Sequence, residues 1–335
     1  MNAEPLRLGS RRSPMAVSQS GDVARLITER TGRRVELVGV TTFGDVSREQ
    51  LTQIGGTGVF VSALRESLLR REVDFAVHSL KDLPTGTDSR ITLAAIPARD
   101  DPRDALVGRD GAKLADLPSG ARIGTGSPRR AAQLTVLRSD VTCVPIRGNA
   151  NTRLDKVRDG QFDAVVLAYA GLARIGHTDL VTEIFEPDDM VPAPGQGALA
   201  VECLTDDTEL AALLATIDHQ ASRAAVTAER SLLAALEAGC SAPVGAYAAG
   251  TDPLRLHAVV LVAPWWATVQ APSVSHQPGA LDAGAGSGTM VVRERGEASA
   301  ADAACLGREL AARMLTLGAA DLMSAKTDRE DAHDD

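Results

Sequence analysis

Hydrophobic and polar positions along the first half of the chain alternate between two kinds of segment. LRLGS, RVELVGVTT, DFAVHS, ITLAAIP, ARIGTGS, VTCVPIRG and DAVVLAYA are short, apolar and bounded by Gly, Ser or Asp, the pattern of strands. Between them lie PMAVSQSGDVARLITERTG, FVSALRESLLRRE, PRRAAQLTVLR and NTRLDKVRDG, which carry helical patterns. This alternation predicts an α/β fold of helices layered on mostly parallel strands.

The pattern occurs twice. Arg7-Leu8-Gly9-Ser10 is followed by Ser13-Pro14, and Arg122-Ile123-Gly124-Thr125 by Ser127-Pro128. Each reads as a strand, a Gly turn, a Ser N-cap and a Pro at the first helical position. A second matching pair follows, VDFAVHSLKDL from Val73 and FDAVVLAYAGL from Phe162, which aligns Asp82 with Gly171. Two similar lobes with a cleft between them are expected. The first lobe is longer, in part because of the Gly-rich and polar loop TTFGDVSREQLTQIGGTG. The Pro-rich crossings AAIPARDDPRDALV and MVPAPGQGALAVEC are the hinge candidates. Beyond about Asp218 a long amphipathic helix ends at Gly239. Strand-like PVGAYAAG and LRLHAVVLVA and a last helix follow, the outline of a separate α+β domain.

Composition narrows the function. The 335 residues suit two or three domains. A formal net charge of −9 argues against nucleic acid or an anionic membrane as partner. The N-terminal stretch has no secretory h-region, and no run reaches the ~18 apolar residues of a membrane span. Cys143, Cys203, Cys240 and Cys305 are scattered without zinc spacing, so free thiols in a reducing cytoplasm and no metal are expected. The polar tail, residues 326–335, is expected to be disordered.

Against this acidic background, Arg11, Ser13, Thr125, Ser127, Arg129, Arg130, Arg147, Arg153 and Arg174 fall beside strand ends and helix starts. Ligands of open α/β sheets bind beyond the carboxyl ends of strands, where helix N-termini and bidentate Arg favour anions. The cluster therefore points to a polyanionic ligand, carboxylate or phosphate. No nucleotide-binding glycine motif accompanies it. HSLKDLP places His78, Ser79, Lys81 and Asp82 just past a buried-looking strand. Asp82 has no counterpart in the second lobe and could hold a cationic intermediate or move protons. His78 reads as a core or orienting histidine. Cys240 sits in GCSAPVG at a helix C-terminus, where the dipole disfavours thiolate. Such a thiol suits one permanent attachment to a reactive electrophile better than repeated nucleophilic turnover.

Eight motifs carry a resemblance to a known family: GSRRSPMA, FVSALRESLL with DFAVHSLKDLPT, RDDPRDALV, IGTGSPRRAAQL, IRGNANTRLDKV, AVVLAYAGLARIG, PAPGQGALAVEC and AERSLLAALEAGCSAPVGA. In this order they resemble porphobilinogen deaminases, also called hydroxymethylbilane synthases. The resemblance implies two periplasmic-binding-protein-like lobes, 1–97 with a return segment 196–218 and 98–195, plus a small C-terminal α+β domain over 219–325. It implies a cytoplasmic monomer that joins four porphobilinogen molecules head to tail into hydroxymethylbilane, releasing ammonia. It also implies a covalent dipyrromethane cofactor held through a Cys240 thioether. Asp82 matches the catalytic acid. Ser79, Lys81, Asp82, Thr125, Ser127, Arg129 and Arg130 match cofactor contacts, and Arg11, Ser13, Arg147, Arg153, Arg174 and Gln196 match substrate contacts. The chain departs at Thr57 and Gln53, where basic residues are usual, at Gly126, and through the stretch with Trp265 and Trp266. The competing reading is a non-enzymatic two-lobe binder or sensor of a small anion.

Overall fold

The computed structural model describes residues 4–40, 58–239, 242–262 and 290–324. Gln53, Thr57, Cys240, Trp265, Trp266 and the tail lie outside them. The described strands are β1 (Leu6–Ser10), β2 (Val35–Gly39), β3 (Phe75–Ser79), β4 (Ile91–Ala95), β5 (Asp104–Gly108), β6 (Arg122–Gly124), β7 (Thr142–Val144), β8 (Ala164–Ala168), β9 (Glu183–Ile184), β10 (Leu199–Leu204), β11 (Val244–Ala249), β12 (Leu254–Val262) and β13 (Met290–Ala298). The helices are α1 (Pro14–Thr31), α2 (Gly58–Leu69), α3 (Pro128–Leu137), α4 (Ala150–Arg158), α5 (Tyr169–Arg174), α6 (Thr208–Leu214), α7 (Gln220–Ala235), α8 (Ala303–Thr316) and α9 (Ala319–Ser324). They form two compact units. The first comprises Met1–Pro102, Ala173–Gly176 and Gly195–Arg223, and the second Arg103–Leu172, His177–Pro194 and Ala224–Asp335.

The α/β class is as expected, and the repeat extends to topology. The first unit holds a sheet of order β2-β1-β3-β10-β4, the second one of order β7-β6-β8-β5-β9. Gly9 pairs with Ala76 and Gly124 with Val165, so the two lobes share one register in which Gly171 is the counterpart of Asp82. Even a capping contact repeats: Arg7 N donates to Asp74 Oδ2 at 2.7 Å, and Arg122 N to Asp163 Oδ2 at 2.8 Å. Both helix-starting serines cap as expected, Ser13 accepting from Ala16 N and Ser127 from Arg130 N. Gly9 and Gly124 leave room for apolar neighbours, since a Cβ would meet Val73 and Ile146 at 3.0 Å.

The strands of the two five-stranded sheets are mostly parallel, as expected, with one reversed strand in each. β1 and β6 pair parallel on both sides, but β10 and β5 each run antiparallel between their neighbours. Both antiparallel strands come from the stretches expected to be hinges. Each crossing ends not in open loop but in a fully buried strand. A strand buried on both faces shows no alternation, and flanking prolines disguise it.

Apolar side chains alternate to opposite faces of these sheets. Phe75 and Val77 join Leu8, Ile27 and Leu214 under α1, while Ala76 joins Leu64 and Leu68 of α2. In the second unit Ile123, Leu134 and Val166 fill the α3 face, and Val165, Leu154 and Leu172 the other. The same unit contains the antiparallel sheet β11-β12-β13, covered by α7, α8 and α9 through Leu232, Leu306, Leu310 and Met314.

Candidate active site

In the first unit the site residues gather where β3 ends. Antiparallel pairing with β10 holds Ser79 opposite Leu199, and the chain then tightens into a 3-10 turn, Leu80–Asp82. Lys81 and Asp82 are half-buried on that turn. Ser79 Oγ accepts from Gln19 Nε2 of α1 at 2.8 Å, which fixes strand end to helix. Lys81 Nζ lies 3.4 Å from Gln196 Oε1, and the buried Gln196 donates through Nε2 to Pro102 O at 2.7 Å. Gln196 is flanked by Gly195 and Gly197, both at positive φ. A Cβ at Gly197 would stand 2.6 Å from Asp100 O, so only glycine fits. Arg174 forms an ion pair with Asp100 and donates to Gly197 O at 3.3 Å. Lys81, Gln196 and Arg174 thus converge on one loop. Arg11 and Ser13 stand at the start of α1, half-buried.

Beneath this end lies a buried charge that sequence reasoning passed over. Glu202 of β10 takes two bonds from Arg65 of α2, at 3.0 and 2.7 Å. His78 Nε2 stands 3.2 Å from the same carboxylate but lacks hydrogen-bond geometry, so Arg65 carries the clamp. Burial pushes Glu202 up, yet the His78 and Arg65 contacts outweigh it and hold the carboxyl at about 2. An acid inside the apolar run LAVECL was the available signal, because a buried carboxylate needs partners.

In the second unit the arginines of SPRR are not surface groups. Asp104, the first residue of β5, is fully buried. Its Oδ2 accepts from Arg129 Nη1 at 2.7 Å, and its Oδ1 from Arg130 Nε at 3.0 Å and Nη2 at 2.8 Å. Arg129 Nη1 also donates to Val191 O at 2.7 Å, and Arg130 Nη1 to Val166 O at 3.1 Å. Burial lowers the pKa of Arg129 more than Asp104 raises it. Arg153 of α4 donates Nε to Gly148 O at 2.8 Å, and burial and the nearby Arg130 charge lower its pKa too. Thr125 is buried, its Oγ1 accepting from Ser127 N at 3.2 Å, whereas Arg147 is exposed. Two guanidiniums therefore share one carboxylate at the carboxyl end of the parallel strands, with the Arg153 charge felt nearby. This excess of positive charge fits a ligand that brings carboxylates of its own. Asp104 was absent from the sequence-based site. Its only trace is an acid opening an apolar strand.

Among the described residues no group of His, Cys, Asp and Glu could hold a metal ion, and no helix is long and apolar enough to cross a membrane. Cys203 and Cys143 are pushed up by burial, to about 11 and about 12, and are inert thiols.

The family model "Porphobilinogen deaminase, dipyromethane cofactor binding domain" matches residues 6–212, and "Porphobilinogen deaminase, C-terminal domain" matches 223–265. The Porphobilinogen deaminase of Thermobifida fusca is 57% identical over 95% of this chain and 96% of its own. Porphobilinogen deaminase 1 of Streptomyces coelicolor is 54% identical over 97% and 99%. Among solved structures, the Methionine Binding Protein MetQ covers 63% of this chain and 89% of its own at 12% identity and TM-score 0.41, a likeness that carries no weight. The family matches and the two relatives cover the chain nearly end to end and favour catalysis over the competing binder reading. The chain belongs to the porphobilinogen deaminase family, transferases that build hydroxymethylbilane from porphobilinogen on a dipyrromethane cofactor.

Proposed function

We propose that Cys240 carries the cofactor and that Asp82 is the catalytic acid of this hydroxymethylbilane synthase. The observation that supports the assignment most is the asymmetry of the repeat, with Asp82 where the second lobe has Gly171. When bound, the dipyrromethane would supply one free pyrrole α-carbon as acceptor for the first unit, later units adding to the free end of the growing chain.

The residues divide the work by charge. Each porphobilinogen loses its amino group as ammonia and leaves a cationic methylene carbon on its ring. The Asp82 carboxylate stabilises that cation and accepts hydrogen bonds from pyrrole N–H groups. The same carboxylate would take up the α-proton that the acceptor ring gives up when the new carbon–carbon bond forms. Arg130 and Arg153, with Ser127 and Thr125, hold acetate and propionate groups of the cofactor and chain. Arg129 is bonded to Asp104 and Val191 and supports Arg130 from behind. Lys81, steadied by Gln196, and Ser79, steadied by Gln19, are cofactor contacts, and Arg11, Ser13, Arg147 and Arg174 receive incoming substrate. The protein works as a cytoplasmic monomer, with 219–325 as the cofactor-bearing domain, and Thr57 and Gln53 alter elongation without affecting attachment.

Intact mass tests the assignment. Chain produced with substrate available gains the mass of two pyrrole units, and the gain disappears in Cys240→Ser. A wild-type chain without it, or a Cys240→Ser chain that retains it, overturns the reading of Cys240.

A further inference from the structure

Gln133 has no role in the site as the family resemblance describes it, yet it is fully buried on α3, one turn beyond Arg129. Its side chain holds both backbone groups of one residue: Oε1 accepts from Val191 N at 2.7 Å, and Nε2 donates to Val191 O at 3.1 Å. Arg129 adds a second bond to that carbonyl, the third to Val191. Val191 is therefore locked to α3 from two positions of one helix face.

The locked segment is the seat of the small antiparallel sheet. Pro192 O accepts from Ala246 N of β11 at 3.0 Å. Gly245 lies so close that a Cβ there would meet Val191 Cβ and O at 2.9 Å. Val191 also joins Ala132 of α3 to Val259, Leu261 and Val291 in one apolar cluster. β11 opens at Val244, four residues after Cys240, and Pro243 O accepts from Leu261 N at 3.1 Å. On the other side Gly239 O accepts from Ala242 N at 2.9 Å. The segment that follows the cysteine is thus tied into the sheet that Val191 seats, and Gly239 is bonded to that segment through Ala242. The same turn of α3 that presents Arg130 also fixes the strand following Cys240.

We propose that Gln133 and Arg129 are positioning residues that set β11, the strand four residues after Cys240 in the chain, against Arg130, so that the cofactor is captured in the right place. This rests on the reading of Cys240 as the attachment residue. One helix, α3, thus carries Arg130 and also seats the strand that follows Cys240 in the chain. Displacement of about 1 Å at such a joint can slow a positioned reaction by ~10²-fold.

The test uses the full-length chain produced without porphobilinogen and then given it, with intact mass followed over time. Gln133→Met removes both bonds at nearly constant volume. It is expected to gain the two-pyrrole mass roughly tenfold more slowly than wild type. Gln133→Glu keeps an acceptor for Val191 N and is expected to fall between them. A general loss of stability would lower the melting temperature without slowing capture far below it, so both are measured. Capture at the wild-type rate in Gln133→Met overturns the proposal. If that variant does not fold, Gly245→Ala strains the same joint from the β11 side and carries the same expectation. A wild-type chain that gains no adduct on Cys240 refutes the reading of Cys240 instead.

Discussion

In the first sheet β3 runs into a 3-10 turn carrying Lys81 and Asp82; in the second, β8 runs straight into α5, and the matching position is Gly171. The buried acids differ in the same way. Glu202 lies inside β10, level with Ala76 and away from the strand end, and its Arg65 clamp holds helix to sheet. Asp104 opens β5, level with Ala168 at the end where ligands bind, and its partners are site arginines. On the reading proposed above, one repeated scaffold is divided, with the Asp82 carboxylate for chemistry on one lobe and excess positive charge for binding on the other. Topology is shared, so function lies in what the strand ends carry.

The sharpest way to break this comparison is Asp82→Asn. If the first lobe supplies the chemistry, bilane formation falls by ~10²–10³-fold, the usual effect of removing one group aimed at developing charge. Intact mass should show the dipyrromethane still attached. Near-normal turnover would remove the distinction between the lobes.

Asp104→Ala tests the other side. It leaves two guanidiniums in a buried site without their shared carboxylate, a change expected to cost about 3–5 kcal/mol of stability. Thermal unfolding should drop, and the loss should be partly recovered by added polycarboxylate if the site takes such ligands. Asp104→Asn, which keeps shape and half the acceptors, should be milder.

Acid should separate the units in a defined order. His257, buried on β12, has its pKa pushed down to about 4 by burial and by Arg295 and Arg293, with Asp188 opposing. The unfolded imidazole titrates near 6.5, so between those values the unfolded chain binds the extra proton. The second unit therefore loses stability, on the order of 3 kcal/mol, as pH falls from 6.5 toward 4. Glu202 runs from 4.5 unfolded to about 2 folded. Its contribution to the first unit, of similar order, is present above 4.5 and is lost only as pH falls below that. Hydrogen exchange against pH should show amides of the second unit loosening first, and His257→Gln should abolish the lead. Simultaneous loosening in wild type would show that these groups do not set the order.

Why some of this was legible and some was not follows from distance along the chain. Gly9, Ser13 and Pro14, like Gly124, Ser127 and Pro128, act within one strand-turn-helix unit, so local pattern sufficed. Asp82 stood out in the sequence because the repeat supplies its own control in Gly171. The strands β5 and β10 were hidden because their partners lie far away in sequence and buried strands show no alternation. Arg129 and Arg130 read as groups beside a ligand because Asp104, 25 residues earlier, comes under them only in the folded sheet. Gln133 was silent for the same reason, its partner Val191 being 58 residues away.

The smallest effects concern the paired caps, and they sharpen the comparison most cleanly. Ser13→Ala and Ser127→Ala each remove one cap bond, from Ala16 N at 3.3 Å and Arg130 N at 3.4 Å. About 1 kcal/mol of stability should be lost in each. Glycine at an N-cap costs only a few tenths of a kcal/mol, so Ser13→Gly and Ser127→Gly spare the helix while deleting the hydroxyl. If Ser127 binds cofactor carboxylate and Ser13 incoming substrate, Ser127→Gly should slow adduct formation, whereas Ser13→Gly should raise KM with adduct formation unchanged. Identical kinetics in the two glycine variants would mean that the serines are caps alone, and that the division between the lobes rests on their charged residues.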